Sequence, residues 1–141
     1  MSTRGLIAIE KTDETCISSY CHHDCYPSGV GLCLTQHYKT LERAEALLKL
    51  GPLSVLGDRL SSDDPEPNAQ SVCIAYHRDR GEEFQTPTVW PNADEMLAKA
   101  ADRFWAEYVY LFRDGRWYVD AAYQPKGWRR VEDVLREHDD E

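Results

Sequence analysis

The chain has 141 residues, with 16 Lys and Arg against 25 Asp and Glu, for a formal charge of −9. That length fits one domain able to bury an aliphatic and aromatic core without staples, and that charge repels phosphate backbones, which excludes ordinary DNA or RNA binding. The acid is uneven: residues 1–60 carry 6 basic and 7 acidic groups, residues 61–141 carry 10 and 18.

Such an acidic half serves solubility, or it faces a basic surface on a partner protein. No apolar run near Met1 is long enough for a secretory signal, and no segment reaches the length of a bilayer span. A cytoplasmic protein without membrane contact is therefore expected, and its five cysteines are expected to be reduced thiols.

Arg4 to Glu10 is apolar on both faces, and Thr15 to His22 returns after the polar Lys11-Thr12-Asp13-Glu14, so the pair reads as a β-hairpin. Tyr26-Pro27 forces a turn, Gly29 and Gly31 allow close backbone approach, and Val30, Cys33, Leu34, His37 and Tyr38 recur at helical spacing. Thr40 caps a second helix carrying Leu41, Ala44, Leu47 and Leu48, which Gly51-Pro52 stops. Leu53 to Gly57 reads as a short turn, and residues 61–70, polar and proline-rich, as a mobile loop. Ser71 to Arg78 alternates like a strand, and Arg80 to Pro91 has no regular pattern.

Asn92 and Glu95 form a capping-box variant that opens the strongest helix, with Met96, Leu97, Ala100, Ala101, Phe104 and Trp105 along one face. Tyr108 to Arg113 and Arg116 to Ala121 flank Asp114-Gly115, a strong hairpin signal. Trp128, Val131, Val134 and Leu135 give a last amphipathic helix, and residues 139–141 a frayed acidic end. The sum is a single α+β domain over residues 1–141, with about five strands in a mainly antiparallel sheet and about four helices. Leu34, Leu48, Ile74, Leu97, Phe104, Trp105 and Leu111 are expected to share one core.

Chemistry is densest from Ser18 to Gly31, where two thiols, two imidazoles, a carboxylate and two phenols crowd one turn. Cys21 and Cys25 could bind zinc, yet no second close pair matches them, so buried thiols explain them better. Cys21 cannot partner His22 directly, because neighbours on a strand point to opposite faces. If the strand ends at residues 22, 78 and 113 share one sheet edge, His22, Arg78, Arg80 and Arg113 form a cationic patch, with Asp24 and His77 nearby. Tyr20, Tyr26 and Tyr76 could then stack a base, and the patch would suit a small anionic ligand such as a nucleotide. Ordinary Arg–Asp pairing is the competing explanation for those arginines. No cofactor or metal is implied, and the other functional alternative is a small metal- or cysteine-dependent hydrolase centred on His22 and Asp24.

The strings Arg4-Gly5-Leu6-Ile7-Ala8-Ile9, Tyr20-Cys21-His22-x-Asp24-x-Tyr26-Pro27 and Ala75-Tyr76-His77-Arg78-Asp79-Arg80-Gly81-Glu82 carry a resemblance, as does Tyr110-Leu111-Phe112-x-Asp114-Gly115-x-Trp117. Over most of its length the chain resembles a family of small proteins common in bacteriophages and prophages. That family reads Tyr-Cys-His-Trp-Asp-Gly-Tyr-Pro at the turn, so His23 and Cys25 depart from it, and a metal role for Cys25 would not be a family feature. The resemblance implies a mobile-element setting and no mechanism. Small acidic phage proteins of this setting often act by binding, as anti-CRISPR proteins do. The expectation is a binding protein that antagonises bacterial defence, taking a basic host-protein surface or sequestering a nucleotide signal.

Overall fold

A strand apolar on both faces belongs in the middle of a sheet, and β1 (Gly5–Glu10) lies there in the computed structural model, which describes residues 2–139. β2 (Cys16–Cys21) returns antiparallel beside it, in register from Gly5↔Cys21 to Glu10↔Cys16. A π-helical turn over Pro27–Gly31 runs into α1 (Leu32–His37), and α2 (Leu41–Lys49) follows. Next come β3 (Leu53–Val55), β4 (Ile74–Ala75), α3 (Tyr76–Arg80), β5 (Thr88–Trp90) and α4 (Ala93–Phe104). β6 (Tyr108–Arg113), β7 (Arg116–Ala121), β8 (Arg129–Arg130) and α5 (Val131–Asp139) complete the order.

The sheet runs β4-β3-β2-β1-β6-β7-β8, with β5 also paired to β2. It corrects the expected architecture: the class is α+β, but the sheet has eight strands and is mixed, and there are five α-helices among the described residues. β1 pairs parallel with β6 from Gly5↔Tyr108 to Ile9↔Phe112, and β2 pairs parallel with β3. The missed strands are two or three residues long, too short for alternation to register. Leu53 to Gly57 thus holds β3, and the irregular Arg80–Pro91 segment holds β5. Of the strand expected over Ser71 to Arg78, Ile74–Ala75 pairs with β3 and Val72 makes one isolated bridge to Arg59. From Tyr76 the chain winds into α3, because Asp79 Oδ2 accepts from Ala75 N at 2.8 Å and Gly81, at φ 70°, ends the turn.

Caps behave as the sequence requires. Thr40 accepts from Arg43 N and Asn92 Oδ1 from Glu95 N at 2.8 Å. Asp114 (φ 51°) and Gly115 (φ 78°) make the tight β6–β7 hairpin.

The expected single core is two, because the sheet lies between them. Ile7, Ile9, Leu34, Leu48, Tyr110 and Trp117 belong to one cluster, with α1, α2 and α5. Leu6, Ala8, Met96, Leu97, Val109 and Leu111 belong to the other, with Phe104 packed against it from α4. Ile74 is half-buried, and Trp105 is 65% exposed, outside both.

Residues 61–70 are irregular and tied at two points: Arg43 grips Asp64 with two bonds, at 3.0 and 3.1 Å, and His37 Nδ1 meets Glu66 at 3.0 Å. Of the expected acidic end, Asp139 belongs to α5, while residues 140 and 141 lie outside the described residues. No helix among the described residues is long and apolar enough to cross a membrane.

The phenol of Tyr110, wholly buried on β6, donates to the Cys25 carbonyl at 2.6 Å and so ties the turn after β2 to the sheet. Tyr110→Phe strands that carbonyl and should lower unfolding stability by about 1–3 kcal/mol in chemical denaturation. An unchanged midpoint would show that the tie carries no stability.

Candidate functional site

Tyr20 and His22 share one face of the strand end, with Cys21 on the other. β3 fixes that end: His22 N donates to Leu53 O at 3.0 Å and His23 N to Ser54 O at 3.1 Å. The chain then doubles back, with Asp24 in the left-handed region at φ 61° and Val30 N donating to Asp24 O at 2.9 Å. A Cβ on Gly29 would fall 2.4 Å from Asp24 O, so the turn closes only with glycine there. Cys21 and Cys25 point into the first core with no exposed surface. The bond with Cys21 and burial hold the Cys25 thiol far above its usual range, and burial does the same for Cys33. Cys21 and Cys25 are core side chains, and Cys33 packs against the same core. Among the described residues, no group of three or more His, Cys, Asp or Glu is placed to hold a metal ion.

Beyond this strand end lies a cavity of about 510 Å³. Arg4, Tyr20 and His22 line it from β1 and β2, and Tyr76, His77, Glu82, Glu83 and Gln85 from α3 and the segment after it. Asp102, Arg103, Phe104 and Trp105 close it from the end of α4, and Pro52 completes the lining. Trp105 projects here because it ends α4 in the left-handed region, at φ 55°. The Tyr20 ring stacks near-parallel on Phe104, with centroids 6.3 Å apart.

Three guanidiniums sit on aromatic rings around this cavity: Arg4 over Trp105 at 5.1 Å, Arg103 over Trp90 at 4.8 Å, and Arg80 over Tyr76 at 5.8 Å. Among the described residues none of the three makes an ion pair, nor do Glu82, Glu83 and Asp102. Arg43, Arg78, Arg113, Arg129 and Arg130, by contrast, each pair with a carboxylate.

Tyr20 Oη lies 2.7 Å from His22 Nδ1. Burial pushes the Tyr20 phenol up to about 12, and burial, then His23 and Arg4, lower the His22 pKa, so His22 is neutral at pH 7. A neutral imidazole nitrogen is a better acceptor than a phenol oxygen, so Tyr20 donates and the His22 proton resides on Nε2. His77 is fixed in the opposite sense. Its Nδ1 lies 2.8 Å from the Glu82 carbonyl, which can only accept, so Nδ1 carries the proton and Nε2 is left as an acceptor.

Of the residues expected at a site, Tyr20, His22, Tyr76 and His77 line the cavity, and Arg80 reaches its edge through Tyr76. Asp24 and Tyr26 are exposed beside each other, 3.5 Å apart, and do not line it. His22 thus lines the cavity without Asp24, its Nδ1 held by Tyr20. Arg78 is taken up by Asp79 and by the carbonyls of Leu60 and Cys73, at 2.6 and 2.8 Å. Arg113 grips Glu10 with two bonds of 2.8 Å at the other end of β1. The expected patch of Arg78, Arg113 and His22 does not form, because β6 runs parallel to β1 and carries its last residue away from the end of β2.

Sequence reasoning missed Arg4, Arg103 and Trp105. Helical spacing placed Trp105 on the buried face, and nothing in the sequence marked a left-handed cap at a non-glycine residue. No protein-family model, curated protein or solved structure matches the chain, so the phage resemblance rests on its sequence motifs alone.

Long-range proton–nitrogen NMR should find His22 as the Nε2–H tautomer, titrating below the ordinary imidazole range. Tyr20→Phe should return it to a tautomer mixture. An Nδ1–H signal in the unaltered protein would reverse the donor assignment.

Proposed function

We propose that this chain is a small phage-type binding protein, not an enzyme, that holds a nucleotide in the cavity between α3 and α4. In this reading it antagonises bacterial defence by withholding that nucleotide from its receptor. One observation carries the ligand class: in a chain of charge −9, two guanidiniums without carboxylate partners, Arg4 and Arg103, line a single cavity and a third, Arg80, stands at its edge, each stacked on an aromatic ring. Stacked guanidiniums are pre-oriented and weakly hydrated, which favours phosphate capture. Tyr20, Tyr76, Phe104 and Trp105 offer faces for a base, and a cavity of about 510 Å³ is the size of a small-molecule site. Sequestration requires affinity without turnover, and the buried thiols supply no nucleophile. The anti-defence setting comes from the phage-type motifs.

Calorimetric titration with nucleoside monophosphates and cyclic nucleotides should give saturable binding, with the nucleotide recovered unchanged. Arg103→Gln should weaken it about 10- to 100-fold, the scale of one charged hydrogen bond. No binding by any nucleotide, or conversion of a bound one, contradicts this reading.

A further inference from the structure

The cavity has a donor side and an acceptor side. Arg4 and Arg103, with the Nε2–H of His22, offer hydrogen-bond donors from β1, β2 and the end of α4. The α3 side, toward the β4 edge of the sheet, offers acceptors in the Glu82 and Glu83 carboxylates. Asp102, beside Arg103, is the one carboxylate on the donor side. Glu82 is the best fixed of the acceptors. Its N–H donates to Tyr76 O at 3.0 Å, its carbonyl accepts from His77, and Gly81 before it turns the chain at φ 70°.

A ligand matching both sides carries adjacent N–H donors at one end and anionic oxygens at the other. Resting on the nucleotide reading above, we infer that the base is guanine, with its N1–H and N2–H edge on the Glu82 carboxylate and its phosphate toward Arg4 and Arg103. An ionised carboxylate only accepts, and its two oxygens match two parallel donors. Among the common bases, guanine alone places two N–H donors side by side on one edge. Adenine and cytosine set a ring-nitrogen acceptor beside their amino group, which turns a lone pair on the carboxylate. Uracil has a single N–H between two carbonyls. Tyr76, which lines the same side, supplies a ring face for the base.

GMP, IMP and AMP carry the same phosphate and differ only in the base edge, so calorimetric titration of the full chain with each isolates it. GMP should bind tightest, IMP, lacking the N2 amine, about 10-fold more weakly, and AMP about 100-fold more weakly. Glu82→Gln, checked for an unchanged melting temperature, should abolish the preference for GMP; Glu42→Gln, exposed on α2 away from the cavity, should keep it. Equal affinities for GMP and AMP, or no binding by any of the three, overturn the guanine assignment, and no binding by the cyclic nucleotides as well overturns the nucleotide reading. A GMP preference that survives Glu82→Gln, or that Glu42→Gln removes, overturns the role given to Glu82.

Discussion

Everything near the cavity is set by the start of β1. The strand is buried on both faces, paired antiparallel to β2 and parallel to β6, so its first residue sits where three strand ends meet. Gly5 is the constraint. A Cβ there would lie 2.9 Å from both the Cys25 Cβ and the Tyr108 carbonyl, so only glycine lets the turn after β2 press against the sheet. That turn follows directly on His22. Glu107 N donates to Arg4 O at 2.7 Å, which brings the end of α4 to the same place and sets Trp105 beside the Arg4 guanidinium. The site is thus a consequence of how β1 is packed, and Cys21 and Cys25 serve it as filler beneath the turn.

Two uses of arginine divide the molecule. Arg43, Arg78 and Arg113 are spent on carboxylates and carbonyls, where they fasten residues 61–70, the base of α3 and the far end of β1. Among the described residues, Arg4, Arg80 and Arg103 rest on rings with no carboxylate paired to them, whereas Arg43 and Arg113 lie over Tyr38 and Tyr118 while paired. A cation over an exposed ring gains about 0.5–1 kcal/mol, comparable to a surface ion pair, so stacking orients these groups without neutralising them. Charge left available beside aromatic faces, with opposite charge across the same cavity, is an arrangement a dipolar ligand completes.

Both long hairpins, the caps at Thr40 and Asn92 and the helix over Ala93–Phe104 were legible, because each rests on local chemistry: alternation, a capping side chain, an Asp-Gly turn. The mixed sheet was not. Parallel pairing of β1 with β6 joins residues about a hundred positions apart and leaves no local mark, and the short strands exist only through their neighbours. The site divides the same way. Tyr20, His22, Tyr76 and His77 stood out as chemistry at strand ends, and they do converge. Arg113 was misplaced by the unseen parallel pairing, and Arg4 and Trp105 join the cavity through a helix cap that helical periodicity contradicts.

Trp105 makes the cavity directly observable. Of the four tryptophans, Trp90 and Trp117 are buried and Trp128 packs against the second core, so Trp105 is the one whose ring faces the cavity and solvent. A phosphate that engages Arg4 draws on the guanidinium resting over the Trp105 ring, so binding in the cavity must change its emission. Titration with GMP should give a saturable change in emission that follows calorimetric binding and vanishes in Trp105→Phe. Calorimetric binding that leaves Trp105 emission unchanged would place the ligand elsewhere and contradict the assignment of this cavity as the nucleotide site.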